Sequence, residues 1–377
     1  MILQAHKSSP LFNLFENQRT SDQPDRPSRK KPIFPVGKAL REYLIKYGRE
    51  VDLPASYNDL LQFNYTTPIK DKHGNDTAWE KASYDMHLWE HLKDVVVKNY
   101  AYLKTKGDLS FINHLDVAGV DFCFFGNSQP IRIRIINKFN DNYDHYYIKK
   151  ADASRIYGLE LDHLLSPNRI TYFTNKETLI EEHIPGIPGD IFIKDYLNHS
   201  STNQIRFAKE FVKFNERCFT HLLGDMRSYN FVINITPDIV DFQYRIRPID
   251  FDQQSYEGRK NLYLPQFFKE NKPFVDIVTK HLNKESIEQY QAEERTQMAF
   301  RLSSAKYRVK ELLDIMSGDA ISKEEKITQL KEELAEQFQQ PRFLLATTMG
   351  QIVKMQLKHT LAKSLALIPK TNIRVAD

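Results

Sequence analysis

A chain of 377 residues is long enough to bury a large core and to divide into two domains. Its 53 lysines and arginines against 49 aspartates and glutamates leave a net charge of +4, too small an excess to imply a nucleic-acid or membrane partner by itself. Only Cys123 and Cys218 occur, each in an apolar stretch (DFCFF, ERCFT), which points to buried free thiols in a reducing compartment rather than to a disulfide framework or a zinc site. The opening MILQAHKSSP has no basic head followed by a sustained apolar stretch, and no apolar run reaches about 18 residues. A soluble, cytoplasmic protein is the expectation.

Residues 1–36 are expected to be a disordered tail, because SSPLFNLFENQRTSDQPDRPSRKKPIFPV mixes Ser, Pro, Asp, Lys and Arg without a period. Its RPSRKKP cluster reads as solvated charge, with nucleic-acid binding as the sharper alternative. Residues 37–119 read as a helical N-terminal region. KALREYLIKYG, NDLLQF and AWEKASYDMHLWEHLKDVVVKNYAYLK place apolar residues three and four apart, and helix packing accounts for Trp79 and Trp89. Near Val120 the pattern changes. VDFCFF, IRIRII and HYYIKKA read as three antiparallel strands joined by GNSQP and NKFNDNYD, with cross-strand packing sufficient for His145 and Tyr146.

The helix SRIYGLELDHLL follows, then the strands RITYFT and TLIEEHI, ending at PGIPGD. Helices dominate beyond: FIKDYLN, NQIRFAKEFVKFNERCFTHLL and charged amphipathic stretches from Pro265 to Leu367. Among these, KEEKITQLKEELAEQF is a solvated helix laced by Glu and Lys pairs four apart. Three strands, a helix, two strands, a hinge and then helices is an order found among ATP users.

In GDMRSYNFVIN, Asp225 and Asn230 are five apart, the spacing of a kinase-type catalytic loop in which the aspartate handles a substrate hydroxyl and the asparagine binds metal. FVIN enters a strand. Asp250, in RIRPIDFDQQ, ends the second strand of the hairpin and would return beside Asn230. Asn and Asp oxygens suit magnesium, with phosphates and water completing the shell. Asp238 and Asp241 fall in the turn, where loop decoration suffices. His221 is read as a helix-end residue that packs or caps carbonyls. No HExxH pair and no GxSxG occurs.

Here the sequence resembles the protein-kinase-like superfamily, in its small-molecule branch of aminoglycoside phosphotransferases and choline or ethanolamine kinases. GDMRSYN is similar to that branch's catalytic loop and IDFDQQSYEGR to its metal segment, and the resemblance covers roughly residues 120–260. It implies an α+β, two-lobed protein-kinase-like fold with an antiparallel-sheet N-lobe over 120–186, and a helical C-lobe with a C-terminal extension over 187–377. By the resemblance ATP and magnesium bind between the lobes. Asp225 is then the catalytic aspartate, Arg227 offsets charge on the transferring phosphate, and Asn230 and Asp250 hold the metal. YYIK, ending at Lys149, is similar to the third-strand lysine motif, and Glu160 on the following helix would position that lysine.

Stepping about 100° per residue puts Glu160 in the apolar stripe between Ile156 and Leu164 and turns Asp162 the other way. A lysine pair or a stripe edge reaching water would each account for that carboxylate. EEHIPGIPGD resembles the hinge, whose backbone at Glu182 to Ile184 would meet the adenine edge, and Gly126 in GNSQP would turn over the phosphates.

The sequence departs from the pattern in several places. No GxGxxG is present, Leu223 replaces a histidine and Tyr147 stands where a small residue usually lines the adenine pocket. Asp252 replaces the glycine of protein kinases, and no peptide-positioning motif follows Asp250, which favours a small hydroxyl substrate. Two other readings stand beside phosphate transfer: AMP transfer, and an inactive pseudokinase scaffold whose helical additions bind a protein partner.

Overall fold

The structure is a computed structural model and describes residues 31–71, 74, 76–124, 128–239 and 241–368. The chain is α+β, with an antiparallel sheet in its N-terminal part and helices through its C-terminal part. It divides into two compact units, one of Arg29–Leu159 with Arg169–Ile184, the other containing Glu160–Asn168 and Pro185–Asp377.

In the first unit, helix α1 (Lys38–Lys46) precedes strands β1 (Tyr65–Lys70) and β2 (Asp76–Ser83), and helix α2 (Met86–Thr105) precedes β3 (Leu115–Phe122), β4 (Ile131–Asn137) and β5 (Asn142–Lys150). Helix α3 (Ala153–Leu165) leads to β6 (Tyr172–Asn175) and β7 (Thr178–Glu182). The strands form one seven-stranded sheet in the order β1-β2-β3-β4-β5-β7-β6. From β3 onward this is the anticipated order of three strands, a helix and two strands.

Alternation decides which face is core. Ile131, Ile133, Ile135, Tyr146, Ile148 and Ile180 project to one side, where they bury against Leu92, Val96 and Tyr100 of α2. The Tyr146 hydroxyl is satisfied there by donating to the Val96 carbonyl at 2.7 Å. The opposite face carries Arg132, Arg134, Tyr147 and Lys149, taken up below.

Residues 37–119 are not wholly helical. Trp79 lies on β2, and the stretch read as one long helix breaks at Ser83 into a strand and then α2. The strand forms because β1 supplies a partner, with Thr66 facing Ala82 and Pro68 facing Glu80. Residues 31–36, expected in the tail, are anchored: Lys31 is buried against Asp152, and Ala153 N donates to the Phe34 carbonyl at 2.9 Å. The rest of the RPSRKKP cluster lies outside the described residues.

In the second unit, β8 (Ile187–Pro188) pairs with β9 (Phe231–Pro237), which forms a hairpin with β10 (Phe242–Pro248). Helices α4 (Gly189–Asp195) and α5 (Gln204–His221) precede the hairpin. After it come α6 (Lys272–His281), α7 (Lys284–Ser304), α8 (Lys306–Met316), α9 (Glu324–Phe338), α10 (Met349–Thr360) and α11 (Ala362–Leu367). Asn203 caps α5 by accepting from Arg206 N at 3.0 Å. One face of α5 stacks Phe207 and Phe211 with Phe192 and Phe274. Arg217, buried in the same helix, donates to Glu210 at 2.7 Å, Glu294 at 3.1 Å and the Ile246 carbonyl at 3.1 Å, which pins α5 to β10. This packing gives the hairpin a rigid backing. Among the described residues no helix is long and apolar enough to cross a membrane.

Candidate functional site

Helix α5 ends when Leu222 turns left-handed at φ 57°, and Asp225 adopts the same region at φ 57°. Aspartate tolerates that conformation better than most residues, but its use here marks a constrained loop. Gly224 N donates to Gln253 O at 3.2 Å, Asp225 N to Leu262 O at 3.0 Å and Ser255 N to Leu222 O at 2.9 Å. The loop before Asp225 is thus zipped to the segment after Asp250. Gly189 adds a close approach: a Cβ there would lie 2.4 Å from the Ser228 carbonyl, so only glycine lets α4 start against this loop.

Side chains then converge. Arg227 Nε donates to Asp225 Oδ1 at 2.9 Å and its Nη1 to Glu270 Oε1 at 2.6 Å. Asn230 Nδ2 donates to the Asp225 carbonyl at 2.7 Å. Phe231 faces Pro248 across the hairpin, and Ile249 N donates to Asn230 O at 3.0 Å, which brings Asp250 alongside Asn230. Asp252 N donates to Asp250 Oδ1 at 2.9 Å and orients that carboxylate. Burial, with help from the charges of Asp250 and Glu257 and against the pull of Arg227, pushes the Asp225 carboxyl up to about 6.

These residues fit a magnesium ion of the kind that relies on phosphates for most of its shell. The amide nitrogen of Asn230 is committed to the Asp225 carbonyl, so its Oδ1, which accepts no hydrogen bond among the described residues, is left as a ligand oxygen. Among the described residues no three His, Cys, Asp or Glu side chains gather to hold a metal, which an all-protein cage would need and a phosphate-assisted site would not.

In the sheet unit, Lys149 is buried at the end of β5, and its Nζ donates to Glu181 Oε2 at 2.9 Å. Arg155, from the start of α3, grips the same carboxylate through Nε and, at 2.8 Å, through Nη2. Burial by itself would raise the Glu181 carboxyl, but Arg155 and Lys149 together hold it down at about 2.

Lys149 thus has Glu181 of its own unit as a carboxylate partner, where Glu160 was expected. Glu160 is fully buried, as its place in the apolar stripe implied, but its Oε2 accepts from Arg308 of α8 at 2.7 Å. Asp162, turned the other way on the helix, is buried too. The helix carries no solvated stripe there, and burial raises the Asp162 carboxyl to about 6.

At the end of β7, Glu182 N donates to Thr171 O at 3.0 Å and its Oε1 accepts from Thr171 N at 2.9 Å, while the Ile184 amide donates to no group among the described residues. Gly126 lies outside the described residues. His221 is buried and packed, its Nε2 4.0 Å from Asp162 Oδ1, and burial, against a contribution from Gln254, lowers it to about 4. Asp238 and Asp241 decorate the β9–β10 turn, bonded to Arg206 and Asn203. A surface depression of about 500 Å³ lined by Gln289, Ala292, Glu293, Thr296 and Gln297 contains none of the groups above.

Glu181, Arg155, Glu270 and Arg308 were not singled out from the sequence. Glu181 sits diagonal to the lysine because Leu179 pairs with Lys149 and Glu181 with Tyr147, a register between strands that are not neighbours in the chain.

No family model matches the chain, and no curated protein does. Among solved structures the chain is similar to the autoinhibited serine kinase domain of the giant muscle protein titin, at 15% identity and TM-score 0.23, over 69% of this chain and 83% of that one. It is also similar to titin kinase with its flanking domains, at 15% identity and TM-score 0.24, over 70% of this chain and 49% of that one.

Proposed function

We propose that the chain is an ATP- and magnesium-dependent phosphotransferase acting on a hydroxyl of a small molecule. The observation that carries this reading is the convergence of Asp225, Arg227, Asn230 and Asp250 on one constrained loop and the hairpin end beside it. Asp225, with a carboxyl near 6, is matched to accept the proton of an acceptor hydroxyl close to neutral pH. Arg227, steadied by Glu270, offsets charge that builds on the transferring phosphate. Asn230 and Asp250 would hold magnesium, which when bound neutralises phosphate charge.

Lys149 takes the nucleotide phosphates. Glu181, not Glu160, positions it. The Ile184 amide and the Glu182 carbonyl are assigned to the base. The reading of a small acceptor rests on the absence of a peptide-positioning motif after Asp250.

Transfer of labelled phosphate from ATP to a panel of small hydroxyl compounds tests the proposal. Wild type should label at least one acceptor only when magnesium is present, and Asp250→Asn should abolish labelling while its unfolding transition is unchanged. Full turnover in that variant would remove Asp250 from the metal site.

One observation favours the second reading, a scaffold without transfer activity. Lys149 and Arg227 are each already ion-paired, to Glu181 and to Asp225 with Glu270. On that reading these pairs hold the two units in shape and partners bind elsewhere.

A further inference from the structure

Across the sheet face opposite the apolar core, the pairing register lines up Lys81, Asp121, Arg132, Tyr147 and Glu181 in one row on β2, β3, β4, β5 and β7. Arg134 stands in the next row, facing His145. Arg132 donates to Asp121 Oδ2 from Nε at 3.0 Å and from Nη2 at 2.8 Å, and Arg134 Nη2 donates to Oδ1 at 3.3 Å. Asp121 is fully buried, whereas the two arginine side chains stay 24% and 28% exposed. Two guanidinium groups thus share one carboxylate, which leaves a net positive charge on a face that solvent reaches.

The donors are not exhausted. Among the described residues Arg132 Nη1 meets no acceptor, and Arg134 Nε, although 3.0 Å from Asp121 Oδ2, is not aimed at it and makes no hydrogen bond. The Trp79 ring, 4.6 Å from the Arg132 guanidinium, holds that group in place. His145 and His183 flank the row. Burial and the nearby Arg132 charge lower both, consistent with a positive potential over this face. Lys149 lies two residues beyond Tyr147 on the same face of β5.

We infer that Arg132 and Arg134 form an anion site for the phosphate chain of the nucleotide on this face, Arg132 in the row of Tyr147 next to Lys149 and Arg134 one row farther from that lysine. Their fixed side-chain charges would supply donors that a GxGxxG loop, absent from this sequence, would otherwise supply. The inference rests on the nucleotide reading above and adds two binding residues to it.

Isothermal titration of the full chain with magnesium ATP, with tripolyphosphate and with adenosine tests it, on wild type, Arg132→Gln, Arg134→Gln and Arg132→Lys. Each single variant leaves Asp121 with one arginine partner, so the sheet keeps its buried pair. Each glutamine variant should weaken ATP and tripolyphosphate about tenfold and leave adenosine unchanged, as loss of a charge-assisted hydrogen bond implies. Arg132→Lys should recover part of the loss, and wild-type affinity should fall with salt. ATP and tripolyphosphate affinities within twofold of wild type in both glutamine variants would overturn the anion site and leave the phosphotransferase reading intact. Tripolyphosphate bound by wild type and lost in the variants, with ATP not bound at all, would uphold the anion site and overturn that reading. Neither ligand binding to wild type would overturn both.

Discussion

Asp225→Asn is expected to lower the rate of phosphate transfer by about 10²–10⁴-fold, the contribution of a positioned general base. Nucleotide affinity and fold should stay as they are. The substitution is nearly isosteric, asparagine tolerates the left-handed backbone that Asp225 adopts at φ 57°, and an amide oxygen can still accept from Arg227. What disappears is a group able to take a proton.

The pH profile adds a check that a structural role would not move. With the carboxyl near 6, wild-type rates should fall as pH drops below that value, and the residual rate of the variant should be flat there. The sign for stability is opposite to that for activity. A carboxyl raised above its unfolded value of about 3.9 makes the native state bind more protons between the two values, so its ionisation costs stability as pH rises. At neutral pH the variant should therefore be no less stable than wild type. A residual rate within tenfold of wild type would remove Asp225 from the chemistry.

Glu181→Ala should destabilise the sheet unit by about 3–5 kcal/mol, because removing one partner leaves buried charge uncompensated. Here two cations lose it, Lys149 and Arg155, each less than a tenth exposed. Urea unfolding followed by circular dichroism measures the loss, with Glu181→Gln separating charge from shape. The Glu181 carboxyl is depressed to about 2, so its ion pairs stabilise the native state fully above the unfolded carboxylate value. That stability is lost as pH falls from there toward 2. Glu181→Gln should lack this acid-dependent step. Midpoints that match wild type at neutral pH in both variants would show that Glu181 does not hold Lys149 in place.

The parts of the fold legible in the sequence were those set by short-range pattern. IRIRII alternates strictly and became β4, and the apolar spacing of SRIYGLELDHLL became α3. GDMRSYN could be read because its residues are near neighbours in the chain, and the hairpin that brings Asp250 to Asn230 is a local turn. Pairings made over long separations could not be read. Glu160 was correctly placed on a buried face, but its partner, Arg308, lies 148 residues downstream. Lys149 finds Glu181 only after α3 and β6 have intervened, so its register with β7 was not visible.

The strand containing Trp79 reads as helix in the sequence for a related reason. Its weak alternation is overridden by pairing with β1, and Ala78 at φ 60° breaks helical geometry inside it.

The central claim is that this chain holds a nucleotide through a magnesium ion at Asn230 and Asp250, and thermal unfolding with ATP tests it most directly. At about a hundred times its dissociation constant, ATP with magnesium should stabilise wild type by about 2.7 kcal/mol, a rise of roughly 3–4 °C in Tm for a chain of this length. Without magnesium, or in Asp250→Asn, the rise should shrink to the part that the cationic side chains alone supply. An unchanged Tm in wild type with ATP and magnesium, or an equal rise in the variant, would contradict the account.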